Sequence, residues 1–109
     1  VGQCPAEQVA HAIDAVWPAA KTLLLVSTDL SHFHKYEQAR QLDQMTCDRV
    51  LAGQTNLRGE DACGANALNG LLCSQSMKSM SIELVSLCNS GDTAGDRNRV
   101  VGYGAFAVY

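Results

Sequence analysis

No uninterrupted apolar stretch in this sequence approaches the ~20 residues that a membrane-spanning helix needs, and no basic segment at the N-terminus leads into an apolar one. Neither an anchor nor a signal peptide is expected, and the chain reads as a soluble, cytoplasmic protein without membrane contact. Charge is sparse: 17% of residues are charged, eight basic side chains stand against eleven acidic ones, and the formal net charge is -3. Lys and Arg never cluster with aromatics, so the electrostatic footprint of a nucleic-acid binder is missing. The five cysteines, Cys4, Cys47, Cys63, Cys73 and Cys88, contain no CxxC pair and are odd in number. That argues against a disulfide framework and a structural zinc site, and the thiols read as free in a reducing compartment. An initiator methionine is also missing, since the chain opens on Val1, and the expectation is a piece of something longer.

What is present suits one compact domain: 109 residues, 47% of them hydrophobic, without repeats or a low-complexity linker. Pro5 followed by Val9, Ala10, Ile13, Val16 and Trp17 at helical spacing predicts a helix over 6–17. The run TLLLVS at 22–27 is apolar on both faces, which predicts a buried, parallel strand covered by helices on two sides. Ala39, Leu42, Met45, Thr46, Arg49 and Val50 form an imperfect stripe that predicts an amphipathic helix over 36–51. A further helix is predicted over 62–75, capped by Asp61 and carrying Ala65, Leu68, Leu71 and Leu72. Residues 80–88 and 100–109 read as strands, joined through the turn-forming NSGDTAGDRN. The order predicts a single α/β domain over 1–109, a mixed sheet flanked by helices.

Within the eight residues from Asp29 to Tyr36 the chain packs in an aspartate, a serine, two histidines, a lysine and a tyrosine. In open α/β sheets the ligand crevice lies beyond the carboxyl ends of strands, and Asp29, His32 and His34 follow the best strand candidate. If the backbone stays extended, His32 and His34 share a face at period two; if it turns, Asp29 and His32 come together. An aspartate beside an imidazole fixes its tautomer and supports base chemistry or metal ligation. The competing reading is an ordinary solvated loop in which Asp29 caps a turn. Cys63, at the start of the third helix, sits where the positive end of a helix dipole can support a sulfur ligand, and Gly64 beside it would let a ligand approach. Its alternative is a small buried residue packing a helix start, as is expected of Cys47, Cys73 and Cys88.

Three stretches in this order, STDLSHFHKY (27–36), DACGANALNGLL (61–72) and NSGDTAGDRNRVVGYGAFA (89–107), resemble the C-terminal part of the Memo-like family, also called AmmeMemoRadiSam system protein B. The resemblance implies a fold similar to LigB-type class III extradiol dioxygenases and a functional link to AMMECR-type and radical SAM proteins. It does not imply dioxygenase activity. It further implies a metal, iron ahead of copper or zinc, held by two histidines from the N-terminal half and by the cysteine matching Cys63, with Asp29 and His32 as pocket residues. The half that brings those histidines is absent from this sequence, so the fragment is not expected to retain metal. His11 lies outside any matching motif and is not promoted.

The expected function is therefore a metal-binding, dioxygenase-like protein of undetermined catalysis. His32 and Asp29 would serve as acid/base and orienting pair, and His34, Tyr36, Asn89, Ser90 and Asp92 would contact a small-molecule or peptide ligand. The glycine-rich segment is neither a P-loop nor an EF-hand loop, and Asp92 and Asp96 would repel a phosphate. Two other readings compete: a non-catalytic adaptor that keeps the pocket for a ligand, and a Cys/His hydrolase with Cys63 as nucleophile and His32 as base. An incomplete sheet or bare apolar face is expected to drive self-association.

Overall fold

The computed structural model describes residues 1–18, 21–93 and 95–109. Pro5 stands immediately before α1 (Ala6–Val16), which buries Val9, Ala10 and Ile13. Among the described residues the next regular elements are the short strand β1 (His32–His34) and α2 (Tyr36–Leu51). After a loop come α3 (Ala65–Cys73), a 3-10 turn (Ser76–Ser79), β2 (Ile82–Asn89), a second 3-10 turn (Ser90–Asp92) and β3 (Val100–Val108). The sheet order is β1-β3-β2 with both pairings antiparallel.

The α/β class holds, but residues 22–27 do not form the buried parallel strand that their composition predicts. Among the described residues no backbone hydrogen bond reaches this stretch, although it is immediately followed by a paired one, where Leu30 N–H donates to Gly102 O at 2.8 Å. Its side chains alternate. Leu24 and Val26 pack on the core, whereas Leu23 and Leu25 are 87% and 84% exposed. A continuous apolar run reports how much burial a strand can use, and not whether a neighbouring strand lies beside it. Here a cavity of about 520 Å³, lined by Leu23, Leu25, Val26 and residues 104–108 of β3, opens where a ladder would close.

The helices cover one face of the sheet. Val50 of α2 and Leu68 of α3 meet Leu84, Leu87 and Phe106, and Val9 and Ile13 of α1 meet Ile82 and Val108. On the other face Val85, Tyr103 and Ala105 stand in solvent. Gly70 sets the spacing of α1 on α3, because a Cβ there would overlap Val9.

Two helix details differ from expectation. The buried stripe of α2 is Ala39, Asp43, Thr46, Cys47 and Val50, while Met45 is exposed. Asp43, only 2% exposed, turns inward because its Oδ1 accepts the Ser31 N–H at 2.9 Å and Gly102 on β3 has no Cβ to compete for the space. Helix α3 begins at Ala65 behind Gly64, and Asp61 does not cap it. Instead Asp61 pairs with Arg49 at 2.9 Å and accepts the Arg58 N–H at 2.8 Å, closing the loop before the helix.

Candidate functional site

Asp29 ends the unpaired stretch, and Cys63 precedes Gly64, which caps α3. The two are brought together by backbone hydrogen bonding. Cys63 N–H donates to Asp29 O at 3.2 Å, and Asp29 N–H donates to Cys63 Sγ, also at 3.2 Å. Thr28 completes the join: its Oγ1 accepts the Gly64 N–H at 2.7 Å, donates to Asp29 O at 2.8 Å and lies 3.6 Å from Cys63 Sγ. The Cys63 side chain is exposed, so its sulfur is held in place yet open to a ligand.

The Asp29 carboxylate faces His32, with Oδ2 at 3.5 Å from Nε2. Of the two backbone geometries the sequence leaves open, the chain takes the turning one. Phe33 adopts φ 65° in the left-handed region and breaks the β1–β3 register between His32, opposite Val101, and His34, opposite Val100. With a bulge between them, the alternation that would put His32 and His34 on one face does not hold. Phe33 is 61% exposed and lies under the Arg99 guanidinium, 4.8 Å from the ring centroid. Neither the bulge nor this stacking has a sequence signal, since phenylalanine is not a turn residue.

Asp29, His32 and Cys63 are thus neighbours. Tyr36, Asn89, Ser90 and Asp92 form a separate knot. The Tyr36 hydroxyl bonds Asp92 Oδ1, and the Arg97 guanidinium lies 4.2 Å from the Tyr36 ring centroid. Asp92 Oδ2 accepts the Asn89 N–H at 2.8 Å while Asn89 Oδ1 accepts the Gly91 N–H at 2.9 Å, and Ser90 Oγ accepts the Val101 N–H at 3.1 Å. These bonds hold the turn that joins β2 to β3 against the start of α2. The Tyr36 bond holds Asp92 below the usual carboxylate range, and the Asp92 carboxylate pushes the Tyr36 hydroxyl up. A cavity of about 710 Å³ beside α2 and β2 is lined by Arg40, Met45, Cys88, Asn89 and Asp92, and not by Asp29, His32 or Cys63. Its larger size alone does not mark a chemical site, since of the groups singled out in the sequence the Asp29–His32 pair and Cys63 lie outside it.

Gly64 has a different role from the one its neighbourhood suggests. A Cβ there would stand 2.7 Å from Thr28 Cβ and 2.9 Å from Thr28 Oγ1, so the missing side chain makes room for Thr28 and not for a ligand. Thr28 itself escapes sequence reading; its signal was only its place between the apolar run and Asp29. Among the other cysteines, Cys47 is buried, and loss of hydration pushes its thiol up to about 11. Cys73 is half-buried, and Cys88, expected to pack, is exposed. Among the described residues no group of three or more His, Cys, Asp or Glu side chains is placed to hold a metal ion. The donors present therefore do not fit a complete metal site. Among the described residues no helix is long and apolar enough to cross a membrane.

A family model described as Memo-like protein matches residues 2–107. A MEMO1 family protein of Methanosarcina mazei is 28% identical over 96 residues, covering 81% of this chain and 36% of that protein. One from Nitrosopumilus maritimus is 26% identical over 108 residues, covering 92% and 39%. Another, from Archaeoglobus fulgidus, is 30% identical over 90 residues, covering 76% and 34%. The chain thus spans between a third and two-fifths of the length of these relatives.

Proposed function

Because this chain belongs to the Memo-like family, we propose that it forms the sulfur-bearing part of a composite, dioxygenase-like metal pocket whose remaining donors come from outside these 109 residues. The observation that supports this is the convergence at Asp29, whose backbone N–H reaches the Cys63 sulfur while its carboxylate reaches His32. One residue thereby couples a soft donor to an acid/base candidate. Cys63 contributes the single metal donor, with iron favoured over copper or zinc. Asp29 orients His32 through Nε2, which leaves Nδ1 to accept or return a proton at a ligand bound beside the sulfur. The ligand is a small molecule or a peptide, and catalytic turnover, where it occurs, is of the oxidoreductase kind.

Cobalt(II), followed by its thiolate absorption, provides the test. An incomplete donor set should bind it weakly. Cys63→Ser should remove most of the absorption, and Cys73→Ser should leave it nearly unchanged. An unaltered cobalt–thiolate signal in Cys63→Ser defeats the metal reading. The adaptor reading would then gain ground, supported by the exposed Leu23 and Leu25 leading into the same site.

A further inference from the structure

The hydroxyl of Thr28 has more neighbours than protons. Its Oγ1 lies 2.8 Å from Asp29 O, 2.7 Å from Gly64 N and 3.6 Å from Cys63 Sγ. A hydroxyl carries one proton and two lone pairs. The Asp29 carbonyl can only accept, so it takes the Thr28 proton, and the Gly64 N–H can only donate, so it fills one lone pair. The second lone pair faces the thiol, which can donate its S–H while it still has one. Once a soft cation or another electrophile takes the place of that proton, the sulfur can only accept. The Thr28 proton can then rotate from Asp29 O to Sγ. Asp29 O is not left bare, because it keeps the Cys63 N–H at 3.2 Å. The second donor to the sulfur, the Asp29 N–H, is fixed by the backbone and serves in both states.

We infer that Thr28 is a positioning residue for Cys63: its hydroxyl partners the sulfur both as a thiol and with an electrophile bound, and Gly64 is glycine so that Thr28 can approach. The inference rests on the reading of Cys63 as the functional sulfur and adds the group that prepares it for a soft cation or another electrophile. No other hydroxyl is recorded within hydrogen-bond reach of this sulfur among the described residues.

The test is the alkylation rate of Cys63 by iodoacetamide at neutral pH in the intact 109-residue chain, resolved by peptide mass spectrometry. Exposed Cys88 in the same molecule serves as the internal reference. Thr28→Val deletes the hydroxyl and keeps the branched shape. Without the hydroxyl the sulfur loses one of the two partners that hold it in place, a loss on the scale of one ordinary hydrogen bond. The expected result is a drop of about threefold at Cys63 relative to Cys88. Thr28→Ser, which keeps the hydroxyl, should restore the rate. Gly64→Ala drives a methyl into Thr28 and should slow Cys63 as Thr28→Val does. An unchanged or faster Cys63 in Thr28→Val overturns the inference, as does a Thr28→Ser protein that behaves like the valine variant. Should Thr28→Val unfold, shown by alkylation of buried Cys47, the comparison of Gly64→Ala with Thr28→Ser decides in the same way. Alkylation needs no metal, so failure here with an intact cobalt response removes Thr28 alone. A normal alkylation pattern with no cobalt response removes the metal reading alone.

Discussion

Tyr36 and Asp92 tie the start of α2 to the turn after β2, and each perturbs the other's proton. Asp92 is held below its ordinary range first by the Tyr36 hydroxyl and then by the Asn89 N–H. A carboxylate depressed in the folded state stabilises the protein above its unfolded pKa, about 4, and that contribution is lost as pH falls through the folded value. Tyr36 is raised, first by the Asp92 bond. Its contribution is complete below the unfolded tyrosine value, about 10, and is lost as pH rises beyond it. The melting temperature should therefore fall at both ends of the pH range, and Asp92→Asn should flatten both limbs in thermal scans across pH. Unchanged limbs in that variant would remove Asp92 from the account. Asp14 adds to the acid limb by the same sign, held down by the Ser76 hydroxyl and by the Gln75 and Ser76 N–H groups that it accepts. It anchors α1 to the 3-10 turn before β2, so its protonation should loosen that junction.

Among the elements, the packing of α1 on α3 offers the sharpest test. Gly70→Ala places a methyl group into Val9 and should cost about 1–3 kcal/mol in urea denaturation. Gly59→Ala, which meets nothing within 4 Å, should leave the midpoint unchanged or slightly raised. The helices were the legible part of the sequence. Val9, Ala10 and Ile13 face inward because apolar spacing near 3.6 records which side of a helix is buried, and the bounds of α2 follow from the same period. The stripe of α2 was misplaced at Asp43 because a charge goes inside only where a backbone donor waits for it, and the Ser31 N–H arrives from twelve residues away. Residues 22–27 show the converse. Leu23 and Leu25 have strand composition, but a ladder requires a second strand that the run itself does not encode. At the site, motif resemblance singled out Asp29, His32 and Cys63, whereas Thr28 and the Phe33 bulge depend on backbone geometry that no spacing predicts.

The whole molecule is a sheet clothed on one side. Its radius of gyration, 14.4 Å, exceeds the roughly 13 Å of a compact chain of this length. Leu23, Leu25, Val85 and Tyr103 give it an apolar exterior, and the 22–27 stretch lacks any charge that would keep two copies apart. Self-association through this stretch should appear as a concentration-dependent mass in light scattering. Leu25→Asp, at a site 84% exposed and so without folding cost, should shift the protein toward monomer. A strictly monomeric chain over a wide concentration range would show that the exposed stretch attracts nothing.

An uncharged, proline-free hexapeptide whose amides and carbonyls, among the described residues, take no backbone hydrogen bond is also a template for fibre growth, because those groups can pair with an incoming chain. Lys21 stands directly before it and Asp29 is the first charge after it. Such flanking charges act as gatekeepers, since like charges accumulate along a growing stack. The aspartate that faces His32 should therefore have a second duty, restraining nucleation at the unpaired stretch that ends two residues before it.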